Sequence, residues 1–160
     1  MPRHSFERGD LIMFMPICLG RGASRFWRLY FPNGSVQAYT AITEVTMSAT
    51  SGGADQCNGG IPSASANDGT HTPAKAFDNS VDKLNYWSSV SDGACWLQYE
   101  FLTAVDVKEF SITVYSSYAG YGPSDIYLQY SDNGTDFVTV QTFTATWAIG
   151  NITNTFTVTM

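Results

Sequence analysis

The sequence has few charged residues, few histidines and no long apolar run. Charged side chains make up 14% of the 160 residues, against roughly 25% in an average globular domain. The longest apolar run, residues 11–19, contains Pro16 and is too short to span a bilayer. Only His4 and His71 could supply an imidazole base, and no Gly-x-Ser-x-Gly, Walker-type or dinucleotide glycine pattern is present. We therefore predict a protein that is not an enzyme and does not insert into a membrane.

The charge is divided unevenly along the chain. Residues 1–30 contain five Arg against Glu7 and Asp10 and carry +3, whereas residues 31–160 contain three Lys against twelve acidic residues and carry −9. Nucleic acids and anionic lipids are bound through clustered Lys and Arg, so the acidic part excludes nucleic acid as a partner. We predict a basic N-terminal arm over residues 1–24, either a docking segment or a solvated tail, and one domain over residues 25–160.

Hydroxyl and aromatic residues take the place of charge. The chain contains 16 Ser, 17 Thr, 14 Gly and 23 aromatic residues, a composition that favours short strands joined by turns. Apolar and polar residues alternate with a period of two, and no stretch keeps the helical period for more than a turn or two. The sequence predicts an all-β fold, a two-sheet sandwich.

The predicted strands follow this alternation and end at turn signals. They cover residues 26–31, 43–49, 96–101, 105–115, 126–130, 138–140 and 156–158. An Asn-Gly turn at residues 33–34 ends the first strand, and the Asp-Asn-Gly run at residues 132–134 predicts a hairpin. The apolar positions of residues 105–115 change from odd to even, which predicts a β-bulge near Lys108 and Glu109. Residues 51–72, rich in Gly, Ser, Ala and Asn, are interpreted as loops over one end of the sandwich rather than as a linker.

The three cysteines, Cys18, Cys57 and Cys95, have irregular spacing. They form no Cys-x-x-Cys pair and have no nearby His, which argues against a zinc site. A disulfide bridge between Cys57 and Cys95 is one alternative under oxidising conditions, and buried free thiols are the favoured one.

Four short motifs together resemble the discoidin, or coagulation factor 5/8 type C, family. They are Ala-Phe-Asp at residues 76–78, Tyr-Trp-Ser-Ser at 86–89, Trp-Leu-Gln-Tyr at 96–99 and Leu-Gln-Tyr-Ser-Asp-Asn-Gly at 128–134. Each motif is weak alone and the set is specific, covering about residues 60–145. This family includes many galactose-binding-like carbohydrate-binding modules. The resemblance implies a jelly-roll β-sandwich of about eight antiparallel strands, in agreement with the alternation.

The family pattern also bears on the tryptophans. In that pattern Trp87 and Trp96 lie at strand starts, and we interpret both as core or near-core residues. Trp147 has no counterpart among the motifs, and its place is left open.

Two upstream segments resemble the closing strands of the family, which usually lie at the C-terminus. They are residues 25–30 and 41–45, and here they precede the other motifs. The chain thus resembles a permuted arrangement, similar to modules in tail and surface proteins of tailed bacteriophages. The resemblance implies a protein made in the host cytoplasm and located in the virion, with an extracellular location as the alternative. Its arm would contact other virion proteins, and it would be present as a homo-oligomer or in many copies.

The family resemblance also implies a structural calcium ion. In the family the ion is held by the Asp of the Ala-Phe-Asp turn, by an oxygen side chain two residues before the Trp, and by a Glu of a closing strand, with loop carbonyls. By position these side chains are Asp78, Asn85 and Glu44. Asp82 is a further candidate in the same acidic loop, residues 78–85. Six to eight oxygen ligands and an irregular loop suit Ca²⁺.

The loop departs from the family pattern in two respects. Asn79 replaces the usual Gly, and the loop is longer and contains Lys83, which could form a surface pair with Asp82 instead. A polar loop without metal is therefore the alternative. The permuted arrangement and the calcium site together require Glu44 to lie within a few ångströms of Asp78.

A Tyr- and Gly-rich loop, residues 115–123, is the candidate ligand-binding segment. Sugar-binding sites combine an exposed aromatic ring with a few planar hydrogen-bonding groups. Tyr118 and Tyr121 would supply the rings, with His71 and Asp92 from other loops at the same rim. Further polar candidates nearby are Asn67 and Asp68. The alternative is that the two tyrosines only cover the end of the sandwich.

Two functions of different classes follow. The first is a non-catalytic carbohydrate-binding module on a virion that attaches to a cell-surface glycan of a bacterium, with several weak sites acting together. The second is a structural virion decoration or connector protein that keeps the fold without binding glycans, in which the arm is the functional part. Lipid binding, known elsewhere in the family, needs apolar side chains surrounded by cations. Residues 31–160, with a net charge of −9, lack such cations.

Overall fold

The described part of the chain contains nine strands. The structure is a computed structural model that describes residues 22–115, 119–149 and 152–159. The strands are β1 (Ser24–Phe31), β2 (Ala41–Ser48), β3 (Ile61–Ala64), β4 (Trp87–Ser88), β5 (Cys95–Val105), β6 (Glu109–Val114), β7 (Asp125–Ser131), β8 (Val138–Thr144) and β9 (Thr153–Thr157). Two short 3-10 helices, Pro73–Ala76 and Ala119–Tyr121, lie between strands. No helix in the described ranges is long and apolar enough to cross a membrane. The all-β prediction is confirmed, with nine strands described where about eight were predicted.

The strands form two antiparallel sheets. The five-stranded sheet has the order β3-β5-β1-β7-β8, and the four-stranded sheet has the order β4-β2-β6-β9. β1 is the central strand of the first sheet, and β2 lies between β4 and β6 in the second. The first two strands of the described chain therefore occupy interior positions, one in each sheet.

Alternation in β1 directs one face of the strand into the core. Trp27, Leu29 and Phe31 are fully buried, and the residues between them lie on the outer face of the sheet. The sandwich core also includes Leu97 and Leu128 from the strands on either side of β1. Burial of each such side chain contributes roughly 1.5–3 kcal/mol, which makes β1 a main source of stability.

β2 is buried on both faces. Val45 and Met47 belong to the core as the alternation predicts, whereas Ala49 lies beyond the strand and is exposed. On the other face, Glu44 is only 4% exposed, and the 3-10 helix Pro73–Ala76 contacts the strand. One extra residue in β2 shifts its register with β6 just before Glu44. This combination places a carboxylate beneath a covering segment.

The bulge predicted near Lys108 and Glu109 is wrong. β5 ends at Val105 in the five-stranded sheet, and β6 begins at Glu109 in the other sheet. Residues 106–108 connect the two, with Val107 fully buried and Lys108 Nζ 2.8 Å from a carboxylate oxygen of Asp106. The apolar positions change phase because the chain passes from one sheet to the other, so the core then lies on the opposite side.

Both predicted turns are present. Gly34 has φ +58° and its amide donates to Phe31 O at 3.3 Å, which ends β1. β7 and β8 pair as a hairpin in which the Asn133 side-chain oxygen accepts from the amides of Thr135 and Asp136, each at 2.9 Å. These contacts are local in sequence, which is why the sequence alone identifies them.

The described cysteines follow the favoured interpretation, whereas the Gly-rich segment, predicted as loops, also contains a strand. Cys57 and Cys95 are free and buried, so they do not form a bridge, and burial raises the pKa of both thiols. Residues 51–72 contain β3, which pairs with β5 and so belongs to the sandwich. The segment is therefore not a linker.

The tryptophans differ in burial. Trp87 is fully buried and its Nε1 donates to Ala66 O at 2.9 Å, as expected for a core residue. Trp147 packs against the core and donates to Pro123 O at 2.9 Å. Trp96 is half-buried on the outer face of the five-stranded sheet.

Parts of the predicted organisation lie outside the described residues. They include nearly all of the basic arm, residues 1–24, as well as Cys18 and Tyr118. Ser24 already pairs with Val105 as the first residue of β1. The strand thus begins one residue before the predicted start of the domain.

Candidate functional site

The loop between the first 3-10 helix and β4 brings Glu44 and Asp78 together. The amide of Ser80 donates to Glu44 Oε2 and to Asp78 Oδ1, each at 3.0 Å. The Asn85 side-chain amide donates to Asp78 Oδ2 at 2.6 Å. Three of the four predicted calcium ligands therefore meet, although Glu44 is separated from the other two by more than thirty residues of sequence.

Glu44 is a buried carboxylate with an unsatisfied oxygen. Its Oε1 has no hydrogen-bond partner, and no ion pair of the described chain includes it. Burial, together with the negative charges of Asp78 and Asp55, raises the pKa of Glu44 to about 8. An unpaired buried carboxyl group is costly, and a bound cation would remove both the orphaned oxygen and the repulsion.

The donor set fits a hard cation. Glu44 and Asp78 supply the carboxylate oxygens that Ca²⁺ takes, and the remaining ligands would be carbonyls or water. Asn85 turns its Nδ2 toward Asp78, so its side chain would have to flip to offer Oδ1 to the ion. Asp82 does not join them: its carboxylate accepts from the Leu84 amide at 2.9 Å. Across the described ranges, no three His, Cys, Asp or Glu side chains converge on one point. The residues that could hold a metal are therefore two carboxylates and one amide.

Asn79 can take the place of the usual Gly because it adopts a backbone conformation that Gly favours. Its φ is +61°, in the left-handed region, and it is the one non-Gly residue with positive φ in the described chain. Asn tolerates this conformation because its short polar side chain bonds locally, whereas other L-residues lose roughly 1–2 kcal/mol.

We expect Asn79→Ala to lower the free energy of unfolding by about 1 kcal/mol and Asn79→Gly to leave it within about 0.5 kcal/mol. Urea denaturation of the three proteins in EDTA measures both changes without any contribution from metal. Equal stability of the Ala variant and the wild type would contradict the left-handed conformation.

Five rings form what we call the aromatic rim: His71, Tyr86, Tyr115, Tyr121 and Tyr39. His71 stacks on Tyr86 with centroids 4.1 Å apart and planes at 17°. Tyr86 lies 5.2 Å from Tyr115, which lies 5.9 Å from Tyr121, and Tyr121 lies 4.7 Å from Tyr39. All five side chains are half-buried. The rim is a continuous aromatic surface with its edges open to solvent.

A depression of about 210 Å³ opens between these rings. It is lined by Tyr39, Asp68, His71, Tyr86, Ser88, Ser89 and Val90. The Asp68 carboxylate lies 2.5 Å from His71 Nδ1 and accepts from the amides of Thr70 and His71. These bonds, first that of the His71 amide, lower the pKa of Asp68 to about 2. The depression therefore offers rings and a fixed carboxylate, and neither Lys nor Arg is among its lining residues.

The predicted ligand-binding residues are only partly brought together. His71 and Tyr121 belong to the aromatic rim, and Tyr118 lies outside the described residues. Asp92 does not line the depression: it is exposed, and its carbonyl lies against Gly34. Asn67 accepts from the Gly69 amide in an exposed turn.

Sequence reasoning missed two members of the rim. Tyr39 precedes β2, and Tyr86 precedes the first residue of β4, so both lie where a loop enters a strand. A ring at a loop–strand junction is a usable signal for the end of a sandwich. Nothing local shows that these two junctions lie at the same end.

Comparison with models of protein families gives a match for this chain. The model of the F5/8 type C domain matches residues 61–160, more than half of the sequence. Comparisons with curated proteins and with solved structures find no match. Domains of the matched family are generally non-catalytic modules that bind carbohydrates or other ligands. With this match and the two-sheet sandwich, the chain belongs to the F5/8 type C domain family.

Proposed function

We propose that this domain is a non-catalytic carbohydrate-binding module of a phage virion that attaches to glycans on the bacterial surface. The observation that carries the proposal is the aromatic rim around the Asp68 depression. A sugar presents an apolar C–H face and a fringe of hydroxyl groups, and the rim offers rings for the one and polar atoms for the other.

The chemistry of the depression favours a neutral sugar. The rings of Tyr39, His71 and Tyr86 line the depression and receive the C–H face, and the Asp68 carboxylate accepts from hydroxyl groups. Because the depression has a carboxylate and neither Lys nor Arg, an anionic sugar would be repelled. Such shallow sites bind weakly, so attachment depends on several copies acting together.

Calcium belongs to the proposal as a structural ion. Glu44, Asp78 and Asn85 would hold it, and it would neutralise their charge and fix the loop. Asn85 directly precedes Tyr86 in the chain, so a fixed loop also fixes one ring of the rim.

The order of the strands along the chain supports a location in the virion. β1 and β2 precede the matched residues and yet occupy the interior of both sheets. This agrees with the permuted arrangement that resembles modules of tailed-phage virion proteins. The basic residues 1–24 would provide contacts to other virion proteins, since their charge is opposite to that of the acidic remainder.

The aromatic rim is tested with a glycan array probed by a multivalent form of the protein in calcium. We expect neutral oligosaccharides among the positives, and at least a tenfold loss of signal for Tyr86→Ala and for His71→Ala. Tyr127→Ala is the matched control, because it removes a half-buried Tyr ring from the outer face of the five-stranded sheet and should leave the signal unchanged.

Two results would contradict the proposal. One is the absence of any neutral glycan signal for the folded, calcium-loaded protein. The other is a signal that survives both rim substitutions. If deletion of residues 1–24 then blocked incorporation into virions while rim variants had no effect, a structural virion role would replace glycan attachment.

A further inference from the structure

The outer face of the five-stranded sheet carries an aromatic row on its three inner strands. Trp96 of β5 pairs with Tyr30 of β1, and Tyr30 pairs with Tyr127 of β7. The Tyr30 and Tyr127 rings lie 6.0 Å apart, edge to face. All three side chains are half-buried on a face that is turned away from the core. With strands about 4.8 Å apart, the row spans roughly 10 Å.

A polar row runs beside the aromatic row. Gln98 of β5 pairs with Arg28 of β1, and Arg28 pairs with Gln129 of β7. Ser63 and Thr139 continue the row on the edge strands. Planar amide and guanidinium groups thus lie next to rings on the three inner strands of the sheet, an arrangement that solubility alone does not require.

Arg28 is held in place but not neutralised. Its Nε donates to Gln129 Oε1 at 2.8 Å, and its guanidinium lies 3.8 Å from the Phe137 ring centroid and 5.5 Å from that of Trp96. The ion pairs found in the described ranges are Arg25–Glu100, His71–Asp68 and Lys108–Asp106, none of which includes Arg28. Its terminal Nη groups therefore remain available as a charged fork for a carboxylate.

This face differs from the aromatic rim in the sign of its charge. The rim depression contains the Asp68 carboxylate, bonded to His71, and neither Lys nor Arg, whereas the polar row contains a guanidinium without a carboxylate on any of its five residues. A neutral sugar suits the first, and an acidic sugar is complementary to the second. Anionic lipid or nucleic acid would need a cluster of cations, which a single guanidinium does not provide.

We propose that the outer face of the five-stranded sheet is a second binding site, separate from the aromatic rim, for a glycan that carries carboxylate groups. Sugar rings lie along the aromatic row, a carboxylate pairs with the Arg28 fork, and Gln98 bonds to a neighbouring hydroxyl group. The rigid pairing of three inner strands positions these groups before the ligand arrives, which reduces the ordering cost of binding.

The test uses four oligosaccharides that each carry a single carboxylate: 3′-sialyllactose, 6′-sialyllactose, and lactose extended by one glucuronic acid or by one galacturonic acid. Isothermal titration of the full-length protein should detect at least one of them. For that ligand, Arg28→Gln and Trp96→Ala should each weaken affinity at least tenfold, as should methyl esterification of its carboxylate. Tyr86→Ala at the aromatic rim should leave affinity unchanged. Gln98→Ala, which removes no hydrogen bond of the described chain, should weaken affinity about threefold without loss of folding.

Three results would overturn the second site. They are the absence of binding for all four ligands, equal affinity of the acid and its methyl ester, and unchanged affinity in both Arg28→Gln and Gln98→Ala. Sedimentation velocity provides a further check: a dimer that Trp96→Ala dissociates would show that a second copy covers this face. Loss of neutral-glycan binding through rim variants is measured separately, so failure at one site leaves the other site testable.

Discussion

We expect calcium to raise the Tm of the wild-type protein by roughly 5–10 °C and Glu44→Gln to abolish most of that increase. A ligand at one hundred times its Kd stabilises the native state by about 2.7 kcal/mol, and 1 kcal/mol corresponds to about 2–4 °C for a chain of this size. Glu44 would be the decisive ligand because its Oε1 is buried without a partner. Differential scanning fluorimetry with calcium and with EDTA measures the increase.

The same variant reverses its effect when calcium is absent. In the metal-free protein the pKa of Glu44 rises from 4.5 to about 8, mainly because of burial and then because of Asp78. The native state then keeps a proton that the unfolded state releases above pH 4.5, so the free energy of unfolding decreases as pH rises toward 8. Glu44→Gln has no such proton, and in EDTA at pH 8 it should melt a few °C above the wild type.

Asp82→Asn is the matched control for calcium. It also removes one acidic charge, from the loop that contains Asp78, but the Asp82 carboxylate bonds to the Leu84 amide and lies apart from Glu44 and Asp78. The calcium-induced increase in Tm should therefore persist in this variant. An equal increase in Glu44→Gln and in the wild type would show that calcium does not bind at the carboxylate pair.

The pairing of Glu44 with Asp78 shows what a sequence can and cannot predict. Alternation places Glu44 on the face of β2 opposite Val45, but it gives no reason for that face to be buried. The family resemblance supplies the missing contact, because a family pattern records which distant segments meet. The depth of burial depends on the segment that covers β2, and no local signal reports it.

The aromatic rim was predictable only in part for the same reason. Tyr121 and His71 come from segments with a loop composition, so the sequence identifies them as loop residues. Tyr39 joins them through Tyr121, whose ring lies 4.7 Å away although the two residues are distant in the sequence. Asp92 does not line the depression, since the carbonyl of Asp92 lies against Gly34. Periodicity identifies strands, whereas sheet order decides which loops meet.

Sheet order also accounts for the wrong bulge at residues 105–115. A change of phase has two physical causes, an extra residue within one strand or passage of the chain to the opposite sheet. In both cases the apolar residues change from odd to even positions along the sequence. The buried Val107 between β5 and β6 belongs to the second case, and only the pairing of β5 with β1 and of β6 with β2 distinguishes the two.

Trp27→Ala should destabilise the domain by about 3–5 kcal/mol, a large fraction of the 5–15 kcal/mol typical of native proteins. Trp27 is fully buried in the central strand β1, and its Nε1 donates to Ser24 O at 3.1 Å and to Val105 O at 2.9 Å. The substitution removes the largest kind of side chain from the core. It also takes one hydrogen-bond donor away from the carbonyls of Ser24 and Val105. Urea denaturation followed by circular dichroism measures the change.

Trp96→Ala is the matched control, because it removes the same side chain from the outer face of the same sheet. Trp96 is half-buried and pairs with Tyr30 beside β1, so its loss should cost about 1 kcal/mol. A cost for Trp27→Ala no larger than this would mean that β1 is not a central strand. β1 lies outside the matched residues 61–160, and a single cooperative transition in the Trp27 variant would show that those residues do not fold independently of β1. A second transition at the wild-type midpoint would show the opposite, with β1 and β2 as an addition to a domain that is complete without them.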